Sequence, residues 1–69
     1  MIHEFHGGSS AIESARYDAR TRRLRVEFRD GSEYRYMGVP LDLWIGFENA
    51  SSRGRFFNFR IRERFSHFL

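Results

Sequence analysis

Sixty-nine residues give room for one small domain with one core, which buries only about 60% of the surface its unfolded chain exposes. No cysteine is present, so a disulfide framework and a thiolate metal site are excluded and a reducing compartment suits the chain. The formal net charge is +3, with no apolar run long enough to span a bilayer and no basic-then-apolar leader, so a soluble cytoplasmic domain is expected.

Residues 1–9 lack periodicity and end in glycine and serine, which predicts a flexible leader ahead of a single domain over 10–69. His3 and His6 have a spacing that could ligate a metal on a helix. Nothing indicates a helix there, and His67 is the sole further histidine, so no metal or other cofactor is expected. Ile12 to Asp18 is the first strand candidate, with Ala15 and Tyr17 on one face. Asp18 opens a polar turn through Arg22, because its carboxylate readily accepts from nearby backbone. Leu24, Val26 and Phe28 then alternate with Arg25, Glu27 and Arg29, the clearest period-two signal in the chain. Asp30-Gly31 marks a second turn, and Tyr34 and Tyr36 resume the apolar face. Pairing Phe28 with Tyr34 would set Glu27 against Arg35 and Arg29 against Glu33. A tighter loop would suit Gly31 better but would oppose Glu27 to Glu33 and Arg25 to Arg35. The charge-matched register is the one expected.

Pro40, the sole proline, suits the first position of a helix. Leu43, Trp44, Phe47 and Ala50 then form an apolar stripe that would lie on the tyrosine face of the sheet. Ser52 is a candidate cap for a second helix whose inner stripe is Phe57, Ile61, Phe65 and Phe68, with Gly54 permitting close approach. The expected fold is α+β: a three-stranded antiparallel meander followed by two helices, β-β-β-α-α.

The charge is unevenly distributed. Residues 1–50 hold seven arginines against eight acids, whereas residues 51–69 hold five arginines against Glu63 alone. Codon bias suffices to explain why all cationic residues are arginine, but it does not explain the clustering. On a helical wheel Arg53, Arg60 and Arg64 flank one side of the inner stripe and Arg55 and Arg62 the other. Phe59 points outward beside Arg55 and Arg62. A solvated helix with snorkelling stems has this pattern, and so does a surface that grips phosphates. Phe59 fits a contact between copies of the chain, and also base stacking. Arg25 and Arg35 on the charged sheet face are secondary phosphate candidates beside acids that cancel much of their field. Catalysis finds no support: no cysteine nucleophile, no nucleophile elbow, and in Ser52-Arg-Gly-Arg55 a segment too short for a phosphate loop. The function expected is a non-catalytic nucleic-acid-binding module, for RNA or DNA, in a homodimer. The alternative is a protein-interaction module in which Phe59 and the arginines dock an acidic partner.

The ordered set Ser9-Ser10-x-Ile12, Tyr17-Asp18, Leu24-x-Val26-x-Phe28-x-x-Gly31, Tyr34-x-Tyr36, Val39-Pro40 and Ala50-x-Ser52-x-Gly54-x-Phe56-Phe57-Asn58-x-x-Ile61-Arg62 resembles the KTSC domain. That family is named for a C-terminal extension of some lysyl-tRNA synthetases and also occurs as small stand-alone proteins. The resemblance covers residues 9–65, with Tyr-x-Tyr as its hallmark. It implies a small α+β domain of unestablished role, suspected of binding RNA from its synthetase context. Tyr34, Tyr36, Ser52, Gly54, Phe57, Asn58 and Arg62 would be the family-typical residues. Glu48 and Phe59 depart from the family pattern.

Overall fold

A computed structural model describes residues 2–7 and 9–65 and the backbone of 67–68. Four antiparallel strands come first: β1 (Ile2–His6), β2 (Ile12–Asp18), β3 (Arg23–Phe28) and β4 (Glu33–Tyr36). Helix α1 (Leu41–Glu48) follows, then α2 (Arg53–Phe56), which runs directly into a π-helical segment, Phe57–Arg62. A two-residue strand, β5 (His67–Phe68), returns to pair with β4, and the strand order is β1-β2-β3-β4-β5. The α+β class and the helix pair match expectation, but the meander has a fourth strand at its start.

That strand comes from the segment expected to be a flexible leader. Ile2 to His6 pair in unbroken register with Asp18 to Ser14 of β2. The driving force is aromatic burial. Phe5 turns inward, stacks on Trp44 at 5.6 Å and meets Phe47 edge-on at 5.0 Å. The loop after β1 is also fastened. Gly7 donates its N–H to the Glu13 carbonyl, and the Ser9 hydroxyl accepts from the amides of Ala11 and Ile12. In β2 a bulge at Glu13 sets Ile12 opposite Phe28 but Ser14 opposite Glu27, so Ile12 and Ala15 both reach the core.

The Asp18 turn forms as its chemistry predicts, with the carboxylate accepting from the Arg20 amide at 2.9 Å. The register of the next hairpin differs from the charge-matched expectation. Arg25 lies opposite Arg35 and Glu27 opposite Glu33, with Leu24 facing Tyr36 and Val26 facing Tyr34. Turn geometry decides the outcome. Gly31 adopts φ 93°, the Phe28 carbonyl accepts from the Gly31 amide at 3.0 Å, and Phe28 donates to the Ser32 carbonyl at 2.9 Å. That closes a three-residue loop with glycine at its left-handed position. The Asp30 carboxylate braces it by accepting from both the amide and the hydroxyl of Ser32. The opposed like charges are relieved along and across the strands: Arg35 meets Glu33 at 2.9 Å, and Arg25 meets Glu33 at 3.6 Å and Glu27 at 3.9 Å. Half-exposed pairs of this kind are each worth a fraction of 1 kcal/mol. They offset the repulsion without dictating register.

Both helices cover the apolar face. Trp44 stacks on Tyr17 at 5.4 Å with the rings 9° apart, and Phe57 meets Tyr36 and Phe28 edge-on. Tyr17, Leu24, Val26, Tyr36, Val39, Trp44, Phe47 and Ile61 are essentially inaccessible. Pro40 sits one place earlier than expected, as the N-cap of α1, and its carbonyl accepts from the amides of Leu43 and Trp44. Ser52 caps α2 through its hydroxyl, which accepts from the Arg55 amide at 3.3 Å. A Cβ on Gly54 would lie 3.4 Å from the Ser9 hydroxyl, an ordinary contact. The second helix ends at Arg62, short of the expected stripe's Phe65 and Phe68, and the backbone of 67–68 is strand instead. Phe57 and Ile61 are buried and Phe65 half-buried, while the Phe68 side chain lies outside the described residues.

Two measurements check this account. Phe5→Ala lowers the unfolding free energy in urea by about 3–5 kcal/mol; a change under about 0.5 kcal/mol would show β1 to be loosely held. The second is an alkaline titration. Burial raises the phenol pKa of Tyr17, with Asp42 and Asp18 adding to it against Arg22. Burial likewise raises that of Tyr36, against the nearby Arg62. Folding is therefore favoured while both phenols stay protonated, below pH 10.0, and that stability disappears as pH climbs through the raised values. Phenolate absorbance from these two tyrosines appears together with loss of tertiary structure.

Candidate nucleic-acid interface

The five arginines between residues 53 and 64 fall into three environments. Arg53 is structural. Its Nη2 and Nε donate to the Glu48 carbonyl at 2.7 and 3.2 Å, and its Nη1 donates to the Gly7 carbonyl at 3.2 Å. Its guanidinium lies 3.9 Å above the Phe5 ring. This side chain joins the end of α1 to the loop after β1, and its donors are turned into the protein. It leaves the set of expected phosphate ligands because those backbone acceptors already hold its fork.

Arg55, Arg60 and Arg64 line the channel between α1 and the second helix. One stretch, of about 440 Å³, has Arg55, Phe59 and Arg60 on its walls with Phe56 and Gly46 beneath. The next, also about 440 Å³, runs past Arg60 and Arg64 to Asp42. Phe56 forms the floor by stacking on Phe47 at 5.8 Å, and the Arg60 guanidinium lies 5.4 Å above it. Phe59 is 63% exposed, outward as expected. None of the three arginines has a carboxylate within 4 Å among the described residues.

Arg62 stands on the opposite flank. It borders a depression of about 170 Å³ with Phe28, Asp30, Ser32 and Tyr34, and donates to the Asn58 amide oxygen at 3.4 Å. The helical wheel had placed Arg62 beside Phe59, whereas Arg60 takes that place. The π-helical segment explains the exchange: its wider turn rotates each residue less than an α-helix does, and the error accumulates from Phe57 onward.

Phe56 and Gly46 were missed by sequence reasoning. The available signal was an isolated glycine inside a helical pattern, which usually marks close packing. A Cβ on Gly46 would meet the Phe56 ring at 3.0 Å. Arg25 and Arg35 stand on the far face of the sheet, across the core from the channel, and both are ion-paired. His3 faces inward beside Tyr17 and Trp44, while His6 faces outward near Glu4. The His67 side chain lies outside the described residues. Among the described residues no cluster of three or more potential ligands could hold a metal, and no helix is long and apolar enough to cross a membrane.

A model of the KTSC domain family matches residues 8–65. A lysine–tRNA ligase from Trichormus variabilis is 38% identical over 58 residues, 84% of this chain and 10% of that protein. The chain therefore spans about a tenth of the length of the lysine–tRNA ligases it matches. A protein from Tsukamurella paurometabola is 40% identical over 57 residues, 83% of this chain and 85% of its own. The crystal structure of a KTSC domain protein from Yersinia pestis superposes with a TM-score of 0.89 at 35% identity, covering 99% of this chain and 96% of that one.

The division among the arginines is measurable. Arg53→Gln lowers stability in urea by about 2 kcal/mol, since it strands two carbonyls and uncovers Phe5. Arg60→Gln changes it by less than about 0.5 kcal/mol. Equal effects would refute the division.

Proposed function

The chain belongs to the KTSC domain family, and on that footing we propose that it is a non-catalytic nucleic-acid-binding module that takes a strand along the channel beside its second helix. The observation that carries this reading is the convergence of Arg55, Arg60 and Arg64 on one channel, none paired to an acid among the described residues, around the exposed ring of Phe59. Guanidinium groups bind phosphate through paired N–H donors and release condensed counterions as they do so. An exposed aromatic ring between them can stack on an unpaired base. A single strand suits this arrangement, because its bases are free to reach Phe59. RNA is favoured over DNA because relatives of this chain occur as segments of lysine–tRNA ligases.

A second reading has one observation in its favour. Leu41 and Ile45 of α1 are 44% and 47% exposed, on the helix that forms the other wall. Apolar exposure there suits a second copy of the chain, or a protein partner whose acids meet the arginines, with Phe59 as the contact.

Fluorescence anisotropy with single-stranded RNA, duplex RNA and duplex DNA separates the two. Three phosphate contacts predict a log–log salt slope of about −2 for a single strand. Binding is lost in the Arg55→Ser, Arg60→Ser, Arg64→Ser triple variant and retained in Arg62→Ser. A slope near zero ends the nucleic-acid reading. Phe59→Asp weakens single-strand binding by about tenfold or more if the ring stacks on a base. If that variant binds RNA normally yet no longer self-associates in sedimentation, Phe59 is a protein contact.

A further inference from the structure

The sheet face turned away from the helices carries a separate charge arrangement. Arg16 of β2, Arg25 of β3 and Arg35 of β4 are consecutive cross-strand partners, so three guanidinium stems rise side by side in one row. Directly opposed like charges destabilise a sheet unless something offsets them. The acids do so incompletely. Glu27 and Glu33 lie one row along and pair with Arg25 and Arg35 from that side only. Glu4 is the cross-strand partner of Arg16 on β1, but its carboxylate lies 3.7 Å from the His6 imidazole and not within 4 Å of Arg16. Asp18 is the partner of Arg23, and its carboxylate instead accepts from the Arg20 amide in its own turn. Arg16 and Arg23 therefore have no carboxylate within 4 Å among the described residues.

Arg16, Arg23, Arg25 and Arg35 line a depression of about 260 Å³ together with Ile2, Leu24 and Asp18. We propose that this depression is an anion site for a phosphate monoester or pyrophosphate group, distinct from the helical channel. A multivalent phosphate would accept from several guanidinium forks at once and supply the negative charge that the row lacks. The glutamates hold Arg25 and Arg35 upright from one side, and the anion enters from the side where Arg16 and Arg23 are free. The group favoured is a phosphate ester or pyrophosphate, whose several oxygens can accept from Arg16 and Arg23 while also reaching the paired Arg25 and Arg35.

The test is an NMR titration of the whole chain with sodium pyrophosphate at constant ionic strength, with sulfate in parallel. Saturable shifts at the amides and side-chain N–H groups of Arg16, Arg25 and Arg35 are expected, with sulfate weaker by about tenfold or more. Arg16→Gln breaks no ion pair and should weaken pyrophosphate by about tenfold or more, with the remaining spectrum unchanged. Arg23→Gln serves the same purpose if the first variant fails to fold. Shifts that grow linearly, that are equal for sulfate, that persist in both variants, or that saturate only at Arg55, Arg60 and Arg64 would overturn the proposal. Competition with short RNA strands identifies the source. Displacement only by a strand bearing a terminal phosphate assigns the site to strand ends, and displacement by neither strand assigns it to a free phosphate ester. The site stands or falls without the channel, since pyrophosphate needs no strand path.

Discussion

The ring of Trp44 is the part on which the remainder of the molecule depends. It lies almost flat on Tyr17 of β2 and stacks also on Phe5 of β1, while Phe47, one turn along α1, meets it edge-on at 5.9 Å. One side chain thus fixes how α1 sits across two strands. In a domain this small there is little other apolar area with which to hold the helix, so aromatic packing serves where a larger protein would use a broad aliphatic core. Tyr17 is constrained in turn, because its hydroxyl donates to the Val39 carbonyl and ties β2 to the segment that launches α1.

From α1 the constraint passes to the second helix. Gly46 leaves space for the Phe56 ring, which lies flat on Phe47, and that ring floors the channel walled by Arg55, Arg60 and Phe59. Arg53, two residues before Arg55, turns back into the fold and holds the helix at its start. Neighbouring residues of one type therefore do different work because of what lies beside them. A guanidinium next to unsatisfied carbonyls becomes a brace, and one beside an exposed ring stays available to solvent. Net charge alone does not make that distinction.

Much of this was legible in the residues. The alternation of Leu24, Val26 and Phe28, the stripe of Leu43, Trp44 and Phe47, and the Ser52 cap all stand as local rules require. The failures have physical causes. β1 was obscured because its inward positions are His3 and Phe5, a pattern too polar and too short to register as a strand. The β3–β4 register departs from charge matching because a glycine in a left-handed turn outweighs exposed ion pairs. Arg62 stands on the flank opposite the one an α-helical wheel gives, because it ends a π-helical segment. The brace formed by Arg53 could not be inferred at all, since its partners are backbone carbonyls that only tertiary structure brings near.

The bond from Arg53 to Gly7 spans 46 residues of sequence, and it bears on how the chain is made. Within the domain β1 is made before the other strands, and its pairing partner in β2 follows at once. The ring of Phe5 must nevertheless wait for Trp44 and Phe47, and after them for the guanidinium of Arg53. Contacts of such long sequence separation form late, because the intervening chain must be ordered before they are rewarded. The first-made strand of the domain is thus sealed late, its apolar ring left uncovered until α1 and the start of the second helix exist.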